Sequence, residues 1–320
     1  MTHQQAVSGF KVLAPGMLTL FQDLGRFGKA NLGLTTSGPA DKRAFEWANR
    51  LLENEENAPA LEITIGGLTL EAMTHTSICL TGAKLALKVN GIELDGWRTH
   101  KVKPGDHIEI GYAEQGTRAY FAVKAGFQLE QEFGSCATTV REGIGGYNGN
   151  KVQAGDTLFV LATKPLTQAR YLSEHLRPEY ASDIVIRVVT GYQQKDFSRL
   201  QQQRFFSSDY RVSKQWDRMG YRLEGPEIQT EAKPMLSEGI TLGAIQIPPD
   251  GQPIVLMHDR QTIGGYPKIG SVFSLDLARL AQCSQGAKVR FEAITIEQAH
   301  NALHLDQYRY KNTKVERSPW

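Results

Sequence analysis

Three stretches of the chain concentrate polar side chains that can bind an anion or stabilise a developing negative charge. The first covers residues 21–49, where Gln22, Asp23 and Arg26 lie on a glycine-punctuated loop before a predicted helix. Glycine lets the backbone approach a ligand closely, and the first N–H groups of a helix attract anions. This stretch therefore predicts an anion site, or an internal pair of Asp23 with Arg26 that holds the loop together.

The second stretch, WDRMGYRLEGPEI at residues 216–228, carries Arg218, Tyr221 and Arg222. An arginine fork suits a carboxylate or a phosphate because it donates two parallel hydrogen bonds. If YRLEG is a strand, the side chains of Tyr221 and Arg222 point to opposite sides, so only part of the set can line one pocket. Arginines that bind backbone carbonyls at a turn explain the same residues equally well.

The third stretch, residues 243–270, begins with a Pro-Pro-Asp-Gly turn flanked by Gln246 and Gln252, which a hairpin would bring close together. The apolar run PIVLM then predicts a strand that delivers His258, Asp259 and Arg260 to its end. Strand ends commonly carry functional residues.

The run continues as DRQTIGGYPKIG, which contains no ready-made nucleophile. Gly264 and Gly265 can adopt positive φ and expose backbone N–H groups as a small anion-binding nest. An ordinary tight turn is the alternative. With Tyr266 and Lys268 beside them, these groups suit recognition and electrostatic stabilisation more than covalent attack.

Known catalytic motifs are absent from the sequence: it has no GxxxxGK(S/T) phosphate loop, no GxGxxG opening a βαβ unit, no HExxH and no GxSxG. His300 and His304 are four residues apart, but a solvated helix face explains that spacing, so we expect no metal site. The three cysteines are far apart, which argues against a disulfide framework and a thiolate zinc site.

The composition of the chain limits the classes of molecule that it is expected to bind. The net charge of +2 is spread along 320 residues, which excludes a nucleic-acid footprint and a membrane-surface patch and favours a small molecule or a protein. The N-terminus lacks the features of a signal peptide, and no apolar run approaches the roughly 20 residues of a membrane span. We therefore expect a reduced, cytoplasmic setting.

Many short, glycine-punctuated strands predict a mostly β chain with barrel lobes and a few peripheral helices. One helix is predicted after Ser37 as its cap, and a second after a capping box of Thr295 and Gln298. The expected division is a β-rich lobe over 1–162, a polar linker over 163–183, and a barrel lobe with a terminal helix over 184–320.

A short sequence pattern occurs twice in the chain and is called the echo below. VKPGDHIEI at 102–110 and VQAGDTLFV at 152–160 share a valine, then Gly-Asp before a predicted strand. Internal duplication explains the echo, and so does the frequency of Gly-Asp turns before strands.

The three stretches closely resemble the signature segments of a known family: residues 19–67, RMGYRLEGP at 218–226 and GQPIVLMHDRQTIGGYPKI at 251–269. The family is the biotin-dependent carboxyltransferase, or allophanate hydrolase subunit 2, family. It includes a subunit of the bacterial ATP-dependent 5-oxoprolinase, the regulator KipA, and half of the carboxyltransferase region of urea carboxylase. The likeness covers about residues 10 to 300.

This resemblance implies a cyclophilin-like β-barrel fold and an obligate partner, the subunit 1 or KipI-like protein (PxpB). A freestanding chain of this length is similar to the C subunit of 5-oxoprolinase (PxpC), which acts with a LamB or YcsF-like subunit (PxpA) and ATP to open 5-oxo-L-proline to L-glutamate. The ATP site is expected on a partner subunit or shared with one. No lysine has the two-methionine setting of a biotin attachment site, so any biotin arrives on another chain.

The resemblance brings no secure catalytic assignment, so the site is a hypothesis drawn from the residues themselves. The predicted catalytic residues are Arg218, Asp259 and Lys268. The predicted substrate-binding residues are Gln22, Arg26, Asp41, Tyr221, Arg222, Gln246, Gln252, Gln261, Thr262, Gly264, Gly265 and Tyr266.

Two other functions fit the same resemblance. One is a carboxyltransferase half that acts on urea or a related amide, and the other is a KipA-like regulator that binds a histidine-kinase inhibitor. The sequence departs from the family at KAGFQL, with Lys124 and Ala125 where glycine is more usual, and at Tyr192, where proline is frequent. These departures bear on substrate detail and not on membership.

Overall fold

The computed structural model of the chain describes residues 5–230 and 235–320. They divide into two compact units. Unit 1 consists of residues 5–27, Ser37–Tyr180 and Lys314–Trp320. Unit 2 consists of Gly28–Thr36 and Ala181–Thr313. The predicted linker, 163–183, ends where unit 2 resumes, but most of it lies within unit 1.

Unit 1 is built from strands and one α-helix. The strands are β1 (Ala6–Pro15), β2 (Leu18–Gln22), β3 (Ala60–Thr64), β4 (Gly66–Ala72), β5 (Thr76–Val89), β6 (Ile92–Leu94), β7 (Thr99–Val102), β8 (His107–Val123), β9 (Thr157–Leu161) and β10 (Ala169–Tyr171), and the helix is α1 (Lys42–Leu51). The first nine strands form one sheet in the order β2-β3-β8-β4-β1-β9, with β5 paired to β6, β7 and β8. The long β5 and β8 make this sheet a half-barrel.

The core of unit 1 is apolar and partly aromatic. Phe10, Phe21, Phe121 and Phe127 are fully buried, and the rings of Phe10 and Phe121 meet edge to face with centroids 5.6 Å apart. Such edge contacts place the positive rim of one ring against the negative face of the other. Phe10, Phe21 and Phe121 come from β1, β2 and β8, and Phe127 follows β8, so the aromatic cluster joins distant parts of the sheet.

Unit 2 is centred on a closed barrel. Its strands are β11 (Asp183–Thr190), β12 (Tyr210–Trp216), β13 (Gly220–Glu224), β14 (Glu238–Gly239), β15 (Ala244–Gln246), β16 (Ile254–Leu256), β17 (Ile263–Gly264), β18 (Lys268–Val272) and β19 (Lys288–Ala293). Seven of them close in the order β11-β18-β15-β16-β13-β12-β19, and β14 and β17 pair separately. The helices are α2 (Arg199–Ser207), α3 (Ser274–Ala281) and α4 (Ile296–Asn312).

The barrel follows from the sequence pattern of its strands. In β11, DIVIRVVT, the buried positions alternate with more exposed ones, as a strand with one face on a core requires. Its β-branched residues also suit the pleated surface. The side chain of Arg187 binds Asp276 of α3. Its Nε and Nη2 atoms donate to the two carboxylate oxygens of Asp276 at 2.8 and 2.7 Å. The expectation of a mostly β chain with a barrel and few helices is confirmed.

The two predicted helix starts have different outcomes. The capping box is confirmed: the Thr295 hydroxyl accepts from the Gln298 backbone N–H, and the Gln298 side chain accepts from the Thr295 N–H. The prediction that Ser37 caps this helix is wrong, because α1 begins at Lys42 with Asp41 as its N-cap. Ser37 has φ of 53° and its hydroxyl donates towards Gln22 and the Thr138 carbonyl instead.

The expectation that backbone N–H groups after Ser37 are free to bind an anion is also wrong, because buried side chains of unit 1 accept hydrogen bonds from them. The N–H of Gly38 donates to Gln22 Oε1 at 3.0 Å, and that of Ala40 to Glu62 Oε2 at 2.8 Å. The N–H of Asp41 donates to Tyr120 Oη at 2.7 Å. Burying unpaired amides is costly, so this network removes the anion site expected there.

The C-terminal strand β20 (Glu316–Ser318) returns to unit 1, where it pairs antiparallel with β10. The Trp320 indole N–H donates to the Leu166 carbonyl at 3.1 Å. The end of the described chain is therefore held by backbone pairing and by a side chain. Among the helices in the described residues, none has both the length and the apolar character needed to cross a bilayer.

The two echoed Gly-Asp segments form the same turn. Asp106 Oδ2 accepts from the Lys103 N–H and Asp156 Oδ2 from the Gln153 N–H, both at 2.8 Å. Gly105 and Gly155 have φ of 86° and 92°, which glycine adopts without steric cost. Each turn leads into a strand of the same sheet, so the echo has one structural role at both sites.

We predict that Tyr120→Phe destabilises unit 1. The hydroxyl of this buried residue donates to Glu62 Oε2 at 2.7 Å and accepts from the Asp41 N–H, so its loss weakens two buried polar contacts. The expected loss is about 1–3 kcal/mol in the free energy of unfolding, measured by urea denaturation. Tyr112→Phe is the control, because Tyr112 is exposed. Equal denaturation midpoints for the two variants would contradict the prediction.

A second prediction concerns the turn between β3 and β4. Gly66 has φ of 119°, and a Cβ built there lies 2.0 Å from the Gly111 carbonyl oxygen. Gly66→Ala should therefore cost about 2–5 kcal/mol, from the backbone strain and the overlap together. Gly105→Ala meets the strain alone, because nothing lies within 4 Å of its added Cβ. The test is thermal unfolding, and a milder effect at Gly66 than at Gly105 would disprove the steric argument.

Candidate functional site

A polar cleft of about 310 Å³ opens on unit 2 where β11 and β18 run side by side. Thr190 at the end of β11 pairs with Gly270 of β18, so the chain after β11 passes beside Lys268. The cleft is lined by Gly191, Tyr192, Gln193, Glu238, Gly239, Thr241, Lys268, Gly270 and Ser271. Its volume lies at the lower end of the range for ligand pockets, which suits a small molecule.

The centre of the cleft is the carboxylate of Glu238. The Lys268 ammonium pairs with Oε1, and the Gln193 amide nitrogen donates to the same oxygen at 2.9 Å. The Tyr192 hydroxyl donates to Oε2. One carboxylate thus accepts from a cation, an amide and a phenol.

Gln193 is the fixed member of this group. Its side chain is buried, with 3% exposed, and its Oε1 accepts from the Lys268 backbone N–H at 2.8 Å. Because both ends of the amide are engaged, its nitrogen is held towards Glu238. Gln193 therefore ties the position of Glu238 to the start of β18.

The electrostatics of the cleft follow from these hydrogen bonds. The bond from Lys268 lowers the pKa of Glu238, with a further contribution from Tyr192, so this carboxylate is charged at neutral pH. The bond to Glu238 raises the pKa of Tyr192, which keeps the phenol protonated as a donor. The cleft presents one cation and one anion side by side.

The predicted catalytic pair Arg218 and Asp259 lies buried in unit 2. The Nε and Nη2 atoms of Arg218 donate to the two oxygens of Asp259 at 2.8 and 2.9 Å. The Asp259 N–H also donates to the Arg218 carbonyl at 2.7 Å. Neither residue lines the cleft, so this arginine fork grips an internal carboxylate rather than a ligand.

The other predicted residues around β13 are also held internally. Tyr221 and Arg222 face opposite sides of the strand as expected: Tyr221 is buried with its hydroxyl donating to the Ala281 and Cys283 carbonyls. Arg222 pairs with Asp250. The Gln252 side chain both accepts from the Gly225 N–H and donates to the Gly225 carbonyl, which ties the segment after β13 to the segment before β16.

The glycine pair does not form the predicted nest, because neither Gly264 nor Gly265 has a left-handed φ. Gly264 lies in β17 opposite Glu238, and a Cβ there would lie 2.4 Å from Ile240 Cδ1 and 2.9 Å from Gln246 Nε2. Glycine is needed for space, not for conformation. That space lets the strand carrying Glu238 lie against β17.

The remaining residues of this stretch have separate positions. Gln246 is buried in β15 and pairs in register with Lys268. Gln261 is exposed, and the Thr262 carbonyl accepts from the Ile240 N–H. Gly265 and Tyr266 line a larger groove of about 700 Å³ beside Pro248 and Pro249. Lys268 is therefore the one member of the predicted set that lines the polar cleft.

The polar groups near the start of the first stretch lie in unit 1, where they bind residues 132–138. The Gln22 amide donates to the Thr138 carbonyl at 3.1 Å, and Asp23 accepts from the Ser135 hydroxyl and the Cys136 N–H. The buried Arg26 donates to the Glu132 and Ala137 carbonyls at 3.1 and 3.0 Å. Asp41, besides capping α1, accepts from Tyr180 at 2.9 Å.

None of the three cysteines is exposed for thiol chemistry, because Cys79, Cys136 and Cys283 are all buried. Burial raises the pKa of Cys79 and of Cys136, which keeps both thiols protonated. Across residues 5–230 and 235–320, no three His, Cys, Asp or Glu side chains cluster in a way that could hold a metal ion.

The sequence did not predict Glu238 or Gln193 as site residues, and it gave Tyr192 only as a departure from the family. That departure was a signal, since Tyr192 is 69% exposed and lines the cleft. Glu238 stands alone in a short strand and carries no local pattern. Its partners are 30 to 46 residues away, so only the fold reveals the group.

Known proteins match the chain over most of its length. The C subunit of 5-oxoprolinase from Haemophilus influenzae is 36% identical over 294 residues, which cover 90% of this chain and 94% of that protein. The corresponding 5-oxoprolinase C subunit from Escherichia coli is 37% identical over 303 residues, covering 94% and 96%. In both comparisons the two chains match almost end to end.

A solved structure shares the fold. The Kluyveromyces lactis urea carboxylase superposes with a TM-score of 0.90 at 26% identity, covering 98% of this chain but 30% of that one. This chain therefore corresponds to less than a third of that larger protein. Residues 32–293 match the family described as carboxyltransferase domain, subdomain A and B. The chain belongs to this carboxyltransferase family.

Proposed function

We propose that the chain is the C subunit of an ATP-dependent 5-oxoprolinase, which opens 5-oxo-L-proline to L-glutamate together with partner subunits. The observation that supports this proposal is the end-to-end match with two proteins that bear the name of this 5-oxoprolinase subunit. The urea carboxylase likeness, in contrast, spans a minor part of that protein.

The chemistry of the reaction explains why this chain offers polar groups without an exposed thiol. A lactam is stabilised by resonance and is a poor electrophile. In the proposed sequence ATP phosphorylates the lactam oxygen, water attacks the ring carbon, and the ring C–N bond breaks. The nitrogen takes up a proton and the carbon keeps the phosphoryl group as an acyl phosphate. A second water hydrolyses this acyl phosphate, which gives L-glutamate and phosphate, while ADP is the product of the first step. Such charge development needs positioned donors and cations.

Within this proposal the cleft of unit 2 is the contribution of this chain. Lys268 supplies a cation, and Tyr192 and Gln193 supply neutral donors on a barrel rim. The subunit 1 or KipI-like protein and the LamB or YcsF-like protein supply the rest of the assembly. The activity belongs to the complex, and this chain alone is expected to be inactive.

A second candidate is the carboxyltransferase half of a urea-type, biotin-dependent carboxylase. The superposition on the Kluyveromyces lactis urea carboxylase at a TM-score of 0.90 favours it. In that case carboxybiotin arrives on another chain. Transfer of its carboxyl group to urea by this chain and its partner, with no turnover of 5-oxoproline, would select this candidate.

Reconstitution tests the main proposal. This chain and its two partner subunits, mixed in equal amounts, should release L-glutamate from 5-oxo-L-proline only when ATP is present. Each subunit is then omitted in turn, and glutamate and ADP are both measured. Omission of this chain should abolish glutamate release. No glutamate from the complete trio would overturn the proposal.

Arg218 offers a test of whether the predicted catalytic pair is structural. Arg218→Met leaves the buried Asp259 carboxylate without its bidentate partner, so we expect a loss of about 3–5 kcal/mol in the free energy of unfolding. The double variant Arg218→Met with Asp259→Leu should recover part of that loss, because it removes both charges. A folded, fully stable Arg218→Met chain without activity in the trio would instead assign this arginine to catalysis.

A further inference from the structure

Three donors of the cleft converge on a single carboxylate: the Tyr192 hydroxyl, the Gln193 amide and the Lys268 ammonium, here called the donor triad. Two of them meet Glu238 Oε1 and the third meets Oε2. Charge-assisted bonds to both oxygens of a planar group are how proteins bind carboxylates. The donor triad thus has the composition of a carboxylate receptor.

The carboxylate that occupies the receptor is held by three side-chain hydrogen bonds rather than by an extensively paired strand. Glu238 lies in a strand of two residues whose one partner among the described residues is β17, and 32% of its side chain is exposed. In its ion pair with Lys268, the carboxylate is the more exposed partner, since 12% of the Lys268 side chain is exposed. A rotation of the Glu238 side chain vacates the receptor without breaking the barrel.

The receptor itself is rigid by comparison. Lys268 begins β18, which is paired on both sides within the barrel, and 12% of its side chain is exposed. Gln193 is buried and bound at both ends of its amide. Gly191, Gly239 and Gly270 form part of the lining, so a ligand can approach the backbone there. Lys268 and the oxygen end of the Gln193 amide are thus held by contacts that do not involve Glu238.

We infer that Glu238 is an internal stand-in for a substrate carboxylate, and that the α-carboxylate of 5-oxo-L-proline binds the donor triad by displacing it. This inference rests on the proposed function for the identity of the ligand. The glutamate side chain carries the same group that the substrate and the product both carry. Exchange keeps the donors paired in the empty and in the bound state.

Phosphate is the other anion that such donors can hold, and the charges of the cleft disfavour it. Lys268 is the one cationic side chain of the described lining, and Glu238 offsets its charge. A phosphate group or the chain of phosphates in ATP carries more negative charge than this lining balances. A monovalent, planar carboxylate matches both the charge and the two-oxygen geometry.

Binding to the full chain, measured by isothermal titration calorimetry, tests the inference without ATP or partners. The ligands are 5-oxo-L-proline and 2-pyrrolidinone, which has the same lactam ring without the carboxylate. Glu238→Ala should bind 5-oxo-L-proline about tenfold more tightly than the unaltered chain, because the competing internal carboxylate is gone. Lys268→Met in the Glu238→Ala background should weaken binding about tenfold or more. Neither change should affect 2-pyrrolidinone.

Matched controls separate this effect from general changes in charge. Lys84 and Glu114 form an exposed pair with 2.8 Å between nitrogen and oxygen, so Lys84→Met and Glu114→Ala repeat the same substitutions away from the cleft. Both should leave the affinity unchanged. Tyr192→Phe removes one donor and should give a smaller loss than Lys268→Met. Circular dichroism and thermal unfolding of each variant establish that it folds.

Several results would overturn the inference. They are an equal or weaker affinity of Glu238→Ala for 5-oxo-L-proline, absence of binding by both the unaltered chain and this variant, and preferential binding of inorganic phosphate or ATP. The outcome is independent of turnover by the trio. A trio without activity, with tighter carboxylate binding by Glu238→Ala, removes the proposed function and keeps the receptor. An active trio with unchanged affinity removes the receptor alone.

Discussion

Closure of the seven-stranded barrel is the constraint on which the cleft of unit 2 depends. The barrel closes where β11 pairs in parallel with β19 on one side and antiparallel with β18 on the other. This arrangement places the turn after Thr190 beside the first residues of β18. Tyr192, Gln193 and Lys268 meet only because two distant segments become neighbours when the barrel closes.

Closure also explains why the cleft combines rigid and replaceable parts. Barrel strands such as β18 have a paired neighbour on each side, whereas β14 and β17 form a separate pair of very short strands. Glu238 belongs to the second kind and Lys268 to the first. Rigid donors facing a loosely held acceptor are an arrangement that a ligand can use, since exchange costs little reorganisation.

Local patterns in the sequence correctly predicted those structural features that depend on interactions between neighbouring residues. The strand alternation, the opposite faces of Tyr221 and Arg222, and the capping box of Thr295 with Gln298 all depend on residues within four positions of one another. Ser37 failed as a cap because Gln22 and Thr138, far away in sequence, bind it in a left-handed conformation. A cap preference of about 1 kcal/mol is easily overridden by such packing.

The site was harder to predict because polar residues serve both function and structure. Some side chains have the residue types of a binding site but bind other parts of the chain. The structure shows Arg26 bound to backbone carbonyls, Arg218 to a buried carboxylate and Gln252 to the backbone of Gly225. A sequence gives the chemistry of a side chain but not its partner. Glu238, which has no neighbouring pattern, became visible only through three contacts made across the fold.

The order of the chain through the two units has a consequence for how such a protein can be divided. The chain passes from one unit to the other four times, after residues 27, 36, 180 and 313. Neither unit is a contiguous stretch, and β20 pairs with β10 across almost 150 residues of sequence. A single break in the chain therefore separates neither unit intact from the other.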